Sequence, residues 1–184
     1  MIIGITGKSG SGKSTTSKYI SGLGYFVIDV DIIHKKLAKE YDTEIDIIFN
    51  DYGLAVLSKE DKIKEFFKNK ELRNSIDNLI FEKTKESIIN IISKNKKNII
   101  FIDAPLLFEM KLDKICDEIW YVSCIPIENI KRLMNRNGVT PEDAWNRYNA
   151  INFEDKKFTW EIDTSYGIPE DNIKKQILLL KNTL

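Results

Sequence analysis

The chain opens with MIIGITGKSGSGKSTT, and no other stretch constrains its fold as strongly. An apolar run, Met1 to Ile5, passes directly into Gly7-Lys8-Ser9-Gly10-Ser11-Gly12-Lys13-Ser14, and Thr15 to Leu23 then reads as a helix. A buried strand, a glycine-rich loop and a helix in this order make up the phosphate-binding P-loop, and the flanks are those its mechanism requires. Glycines let the loop curl until its backbone N–H groups converge on phosphate oxygens, and the following helix adds its positive N-terminal end. Lys13 is placed to reach the β- and γ-phosphates, and the Ser14 hydroxyl to reach Mg²⁺. Gly7 through Thr15 are therefore the expected cradle of a nucleoside triphosphate.

Further apolar runs at Tyr25 to Asp29, Asn98 to Asp103 and Glu118 to Cys124 alternate with segments of helical period, the pattern of a doubly wound parallel sheet. Helices are expected over Ser14 to Leu23, Asp31 to Glu40, Lys59 to Lys68, Glu71 to Lys94, Pro126 to Asn135 and Pro169 to Lys181. In the fourth of these, Leu72, Ile76, Leu79, Ile80, Ile88, Ile91 and Ile92 recur at three-to-four spacing and predict a core-facing stripe. With 9 glycines, 4 prolines and no linker-like or repeated segment, 1–184 reads as one three-layer α/β domain. The connection over about 32–95 is longer than a crossover helix needs and is expected to form a helical substrate-binding insert. The polar stretch 135–153 is expected to form a helical lid.

Composition narrows the partners. Lys+Arg and Asp+Glu both number 28, so no overall positive field exists to hold a polyanion, and a role on nucleic acid or a membrane surface loses support. No basic leader precedes a long apolar stretch, so a cytoplasmic location and a small-molecule substrate are expected. Two cysteines, Cys116 and Cys124, have neither disulfide nor metal-ligand spacing, and one histidine, His34, cannot build a zinc site. Core thiols and a surface histidine are the expectation.

Open parallel sheets bind ligands at the carboxyl ends of their strands, where this sequence puts Asp29 and Asp31 after the second run and Asp103 after the third. Phosphoryl transfer needs Mg²⁺, charge neutralisation and an orienting group for the acceptor hydroxyl, and such carboxylates fill the acidic roles. Asp103, after Asn98-Ile99-Ile100-Phe101-Ile102, reads as a Walker B acid that joins Ser14 on the metal. Asp29 and Asp31 also fit helix N-caps. Arg132, Arg136 and Arg147 lie in or beside the expected lid, where guanidinium groups neutralise transition-state charge; Arg132 and Arg136, four apart, also fit a solvated helix face. Lys8 adds a cation inside the loop, directed at phosphate or at solvent. Trp145, Tyr148, Phe153, Phe158 and Trp160 offer either base stacking or packing.

Taken together, Ile2 to Thr16, Gly24 to Asp31, Asp103-Ala104-Pro105-Leu106-Leu107-Phe108-Glu109 and Arg132 to Gly138 resemble the dephospho-coenzyme A kinases, over nearly the whole chain. The resemblance implies a P-loop kinase of the nucleoside monophosphate kinase type. It would use ATP and Mg²⁺ to phosphorylate the ribose 3′-hydroxyl of dephospho-coenzyme A, the last step of coenzyme A synthesis. By the same resemblance Asp31 activates the acceptor hydroxyl, Lys13 and Ser14 serve ATP and Mg²⁺, and Arg136 with Arg147 belongs to the lid, Arg136 acting on the transferring phosphoryl. Departures from the family pattern fall at Lys8 and Ser9 in the loop, at Phe81-Glu82 and Lys85 where a His-Pro pair and an arginine are usual, near Ile151 where a lid glutamine is usual, and at Thr164 where an asparagine is usual. A deoxynucleoside monophosphate or another small acceptor, and an ATP-binding switch with little turnover, remain as alternatives.

Overall fold

The structure, a computed structural model, describes residues 1–183. The chain divides into two compact units, Met1–Asp29 with everything from Lys96 onward, and Val30–Asn95.

The first unit is built on five parallel strands, β1 (Ile2–Thr6), β2 (Phe26–Asp29), β3 (Ile100–Asp103), β4 (Glu118–Ser123) and β5 (Trp160–Asp163), in the order β2-β3-β1-β4-β5. The first strand of the sequence is thus the middle strand of the sheet, covered on both faces, which is why it is apolar without alternation. Ile3 and Ile5 are fully buried. They share a core with Phe101, Trp120, Val122 and Ile162 of the neighbouring strands, Ile20 of α1 (Lys13–Gly22) and Ile173, Ile177 and Leu180 of α8 (Glu170–Lys181). Each such side chain contributes on the order of 1.5–3 kcal/mol. Trp120 sits edge-on to Phe101 and Trp160, with ring centroids 5.3 and 4.7 Å away, while its indole N–H donates to Glu118 Oε2 at 2.8 Å. On the opposite face Gly4 leaves room for Leu107 and Cys116, either of which would stand 3.0 Å from an added Cβ. Burial there pushes the Cys116 thiol up to about 12, so it is an inert packing group.

Helices α6 (Pro126–Asn137) and α7 (Pro141–Asn149) complete this unit, with a 3-10 turn at Leu112–Ile115. Their boundaries follow local chemistry. Gly138 closes α6 in the left-handed region at φ 61, and Thr140 opens α7 by accepting from the Asp143 N–H at 3.1 Å, with Pro141 at the first helical position.

The second unit is helical: α2 (Val30–Glu40), α3 (Asp42–Asp51), α4 (Lys59–Lys68) and α5 (Lys70–Lys94). Asn69 alone separates α4 from α5, and its side chain caps α5 by accepting from the N–H groups of Glu71 and Leu72 at 3.0 and 3.1 Å. On α5 the buried residues are Leu72, Ile76, Ile80, Thr84 and Ile88, a strict four-residue ridge. Four belong to the expected apolar stripe; Thr84 is a polar member that the period did not reveal, and Leu79, Ile91 and Ile92 are only half-buried. Phe49 of α3 packs on Leu72 and Ile76.

Candidate active site

The phosphate loop runs from the end of β1 to the first turn of α1, on the carboxyl edge of the sheet. Its shape is enforced by glycine at two positions. A Cβ on Gly7 would lie 2.4 Å from the Val122 carbonyl oxygen, and one on Gly10, whose φ is 83, would lie 2.2 Å from Asn129 Oδ1. Ser11 N–H bonds back to Lys8 O at 3.1 Å, tightening the curl. The Thr15 and Thr16 N–H groups both donate to Gly12 O at 3.0 Å, and the N-terminal end of α1 follows the loop directly. Ser14 is exposed at the first turn of α1, and Thr15 beside it is exposed, whereas Thr16 is buried. The Ser11 and Thr16 hydroxyls are buried without a hydrogen-bond partner. A loop packed this closely against β4 and α6, with polar groups left over around it, fits a bound polyphosphate.

Asp103 ends β3 in register with Ile5 of β1 on one side and Asp29 of β2 on the other. That register carries the Asp103 carboxylate to the loop, where it is ion-paired with Lys13. Both are largely buried, Lys13 at 12% and Asp103 at 7% side-chain exposure, so each charge is compensated by the other. Among the described residues no group of three or more His, Cys, Asp or Glu side chains forms a ready metal cage. Ser14 and Asp103 beside a phosphate cradle instead suit Mg²⁺, which keeps waters and takes one or two protein oxygens with the phosphates.

The loop is buttressed from β5. The Thr164 hydroxyl, just past that strand, reaches Ser11 O and Ser123 O at 2.5 and 3.1 Å and accepts from Arg132 Nη1 at 3.0 Å, while Arg132 Nη2 donates to Thr164 O at 2.6 Å. Arg132 is therefore half-buried and held on Thr164, not part of a solvated face. Lys8 is half-buried, its ammonium 4.0 Å from the centroid of the Tyr148 ring on α7. Arg136 is exposed and donates from Nε to Asn137 Oδ1 at 2.8 Å, and Arg147 is exposed on α7. The aromatics divide into packing sets. Tyr121 stacks on Phe158 with centroids 4.5 Å apart, Phe153 and Phe108 close the same cluster, and Trp145 stacks on Tyr148 at 5.6 Å.

In the helical unit Asp31 occupies the first turn of α2, two residues after β2, and is exposed. His34 is not the expected surface histidine. It is half-buried, its ring centroid 5.7 Å from that of Phe81, one of the positions that depart from the family pattern. Burial lowers its pKa below 6.5, against the opposing charges of Asp77 and Asp31.

A family model described as dephospho-CoA kinase matches residues 1–163. The chain belongs to the dephospho-CoA kinase family. Relatives bearing that name include one from Fusobacterium nucleatum, 35% identical over 150 residues that make up 78% of this chain and 77% of the relative. Another, from Prochlorococcus marinus, is 36% identical over 84% of this chain and 81% of its own length. The dephospho-CoA kinase from Campylobacter jejuni has a solved structure that superposes with a TM-score of 0.66 at 25% identity, covering 99% of this chain and 96% of that one. TT1252 from Thermus thermophilus shares the fold at a TM-score of 0.83 and 24% identity, over 100% and 98% of the two chains. As a member of the dephospho-CoA kinase family the chain is a kinase with the three-layer α/β P-loop fold.

Sequence reasoning missed Thr164 as a buttress and Tyr148 as the partner of Lys8. The Thr164 bond to Ser11 joins residues 153 apart, which no local spacing encodes.

Proposed function

We propose that this protein transfers the γ-phosphoryl group of ATP to the ribose 3′-hydroxyl of dephospho-coenzyme A. One observation supports it above all: the family match over residues 1–163 takes in the phosphate loop, Asp31, Asp103 and the lid arginines together. The loop from Gly7 to Thr15 holds the triphosphate through its N–H groups, with Lys13 moving from Asp103 onto the β- and γ-phosphates. Ser14 and Asp103 would hold Mg²⁺, which when bound neutralises charge across the β- and γ-phosphates. Asp31 takes the proton of the 3′-hydroxyl as its oxygen bonds to the γ-phosphorus and the bond from that phosphorus to the β–γ bridging oxygen breaks, leaving ADP. Arg136 and Arg147 close on the phosphates from the lid over 135–153 and exclude water. The insert over 32–95 takes the acceptor, and the reaction runs in the cytoplasm.

The test is ADP release from Mg-ATP by purified protein with dephospho-coenzyme A, in parallel with each deoxynucleoside monophosphate, using Lys13→Ala as the blank. Stimulation by dephospho-coenzyme A, with a product one phosphate heavier by mass spectrometry, is expected. Stimulation only by a deoxynucleotide would transfer the acceptor assignment.

A further inference from the structure

The phosphate loop carries a second cation, Lys8, whose side chain the transfer scheme above leaves unused. Its backbone is fixed, since Lys8 O accepts from the Ser11 N–H at 3.1 Å. Its side chain is not fixed by an opposite charge. Lys13 is ion-paired with Asp103, whereas among the described residues no carboxylate pairs with Lys8. The half-buried Lys8 ammonium stands instead 4.0 Å from the centroid of the Tyr148 ring. A π face is the weaker kind of partner, because a ring quadrupole attracts a cation less than a full negative charge does at the same distance.

The other end of the contact is lightly held. On α7 Ala144 is buried, Tyr148 one turn later is half-buried, and every other residue is exposed. Trp145, among the exposed ones, stacks on the Tyr148 ring with centroids 5.6 Å apart. A helix that buries so little surface keeps its place through few contacts, and one of these is with the loop. We propose that the Tyr148 ring and the phosphates of the nucleotide compete for the Lys8 ammonium. The contact is a latch: it docks α7 on the loop until a polyphosphate draws the ammonium off the ring, and α7, which also carries Arg147, is then released to move. This rests on the nucleotide reading of the loop given above, and its test separates the two.

A competitor differs from a structural support in the sign of its effect, since removing it should tighten nucleotide binding. Tyr148→Leu should lower the Kd of a non-hydrolysable ATP analogue with Mg²⁺, measured by calorimetric titration, about three- to tenfold. In a Lys8→Met background the same substitution should leave that Kd within about twofold. Tyr148→Phe, which keeps the π face, should bind as the wild type does. A second measurement guards against a leucine variant that fails to fold. The analogue should change the fluorescence of Trp145 in otherwise wild-type protein, isolated by difference against Trp145→Phe, and should change it far less in Lys8→Met. Weaker or unchanged binding in Tyr148→Leu, the same gain in both backgrounds, or a Trp145 response indifferent to Lys8→Met would overturn the proposal while the wild type still binds the analogue. A wild type unable to bind it would remove the nucleotide reading and this inference together.

Discussion

Thr164 has one hydroxyl proton and two carbonyls competing for it, those of Ser11 and Ser123, while Arg132 donates to the same oxygen. Through this atom the end of β5 sets the height of the phosphate loop. Thr164→Val keeps the shape and deletes the hydroxyl, leaving the Ser11 carbonyl and one edge of the Arg132 guanidinium without a partner. A loss of about 1–3 kcal/mol in urea unfolding is expected, together with a several-fold rise in the KM for ATP, and Thr164→Ser should restore both. An unchanged KM in the valine variant would mean that the loop holds its own shape. Gly10→Ala is a harsher test. Its φ of 83 and the 2.2 Å approach of Asn129 Oδ1 forbid a methyl, so a loss of more than about 1 kcal/mol and of ATP binding is expected by thermal denaturation with and without nucleotide. The glycine requirement was legible in the sequence, because the loop's spacing states it. The buttress was not, because its partners come from the loop after β1, the end of β4 and the middle of α6, which only the fold brings together.

Elements show the same division. Four of the five strands announced themselves as apolar runs; β5, Trp-Glu-Ile-Asp, is four residues long with Glu161 and Asp163 exposed, too short and too polar to stand out. The acidic helix α3 escaped for the converse reason, since Asp, Thr and Ile are indifferent helix formers and only packing of Phe49 on α5 decides the matter. Helix α7 falls within the stretch 135–153 expected to be a helical lid, but neither its start at Thr140-Pro141 nor its tie to the loop through Lys8 and Tyr148 was read from the sequence. Lys8→Met should remove about 0.5–2 kcal/mol of attraction between loop and helix and change the fluorescence of Trp145, which stacks on Tyr148. Identical spectra for Lys8→Met and wild type would argue against the contact. The α2–α5 pair carries a pH signature. The folded-state pKa of His34 lies below the 6.5 of the free side chain, so between those two values the unfolded chain binds more protons and stability falls as pH falls. The urea midpoint should therefore decline as the pH drops through 6.5, and His34→Gln should flatten that decline. A decline of the same size in the variant would assign it to other groups.

On the scale of the whole chain, ligand binding and folding share one free energy. A nucleotide that binds only the folded protein adds about 2.7 kcal/mol at one hundred times its Kd, which for a chain of this length raises Tm by about 5–10 °C. A non-hydrolysable ATP analogue with Mg²⁺ should produce such a rise in the wild type. Lys13→Ala should abolish it, because it removes the ammonium, paired with Asp103, that we propose binds the β- and γ-phosphates. Chelation of Mg²⁺ by EDTA should reduce the rise and stop ADP formation. The two compact units make the response separable along the sequence. In hydrogen exchange on the intact protein, the analogue should slow amides across Gly7 to Thr16, where the loop N–H groups meet phosphate. Dephospho-coenzyme A should instead slow amides within 30–95, strongest in the first turns of α2 around Asp31 and His34. Protection of the loop without any effect of dephospho-coenzyme A in the helical unit would leave the ATP site standing and remove that unit as the acceptor's seat.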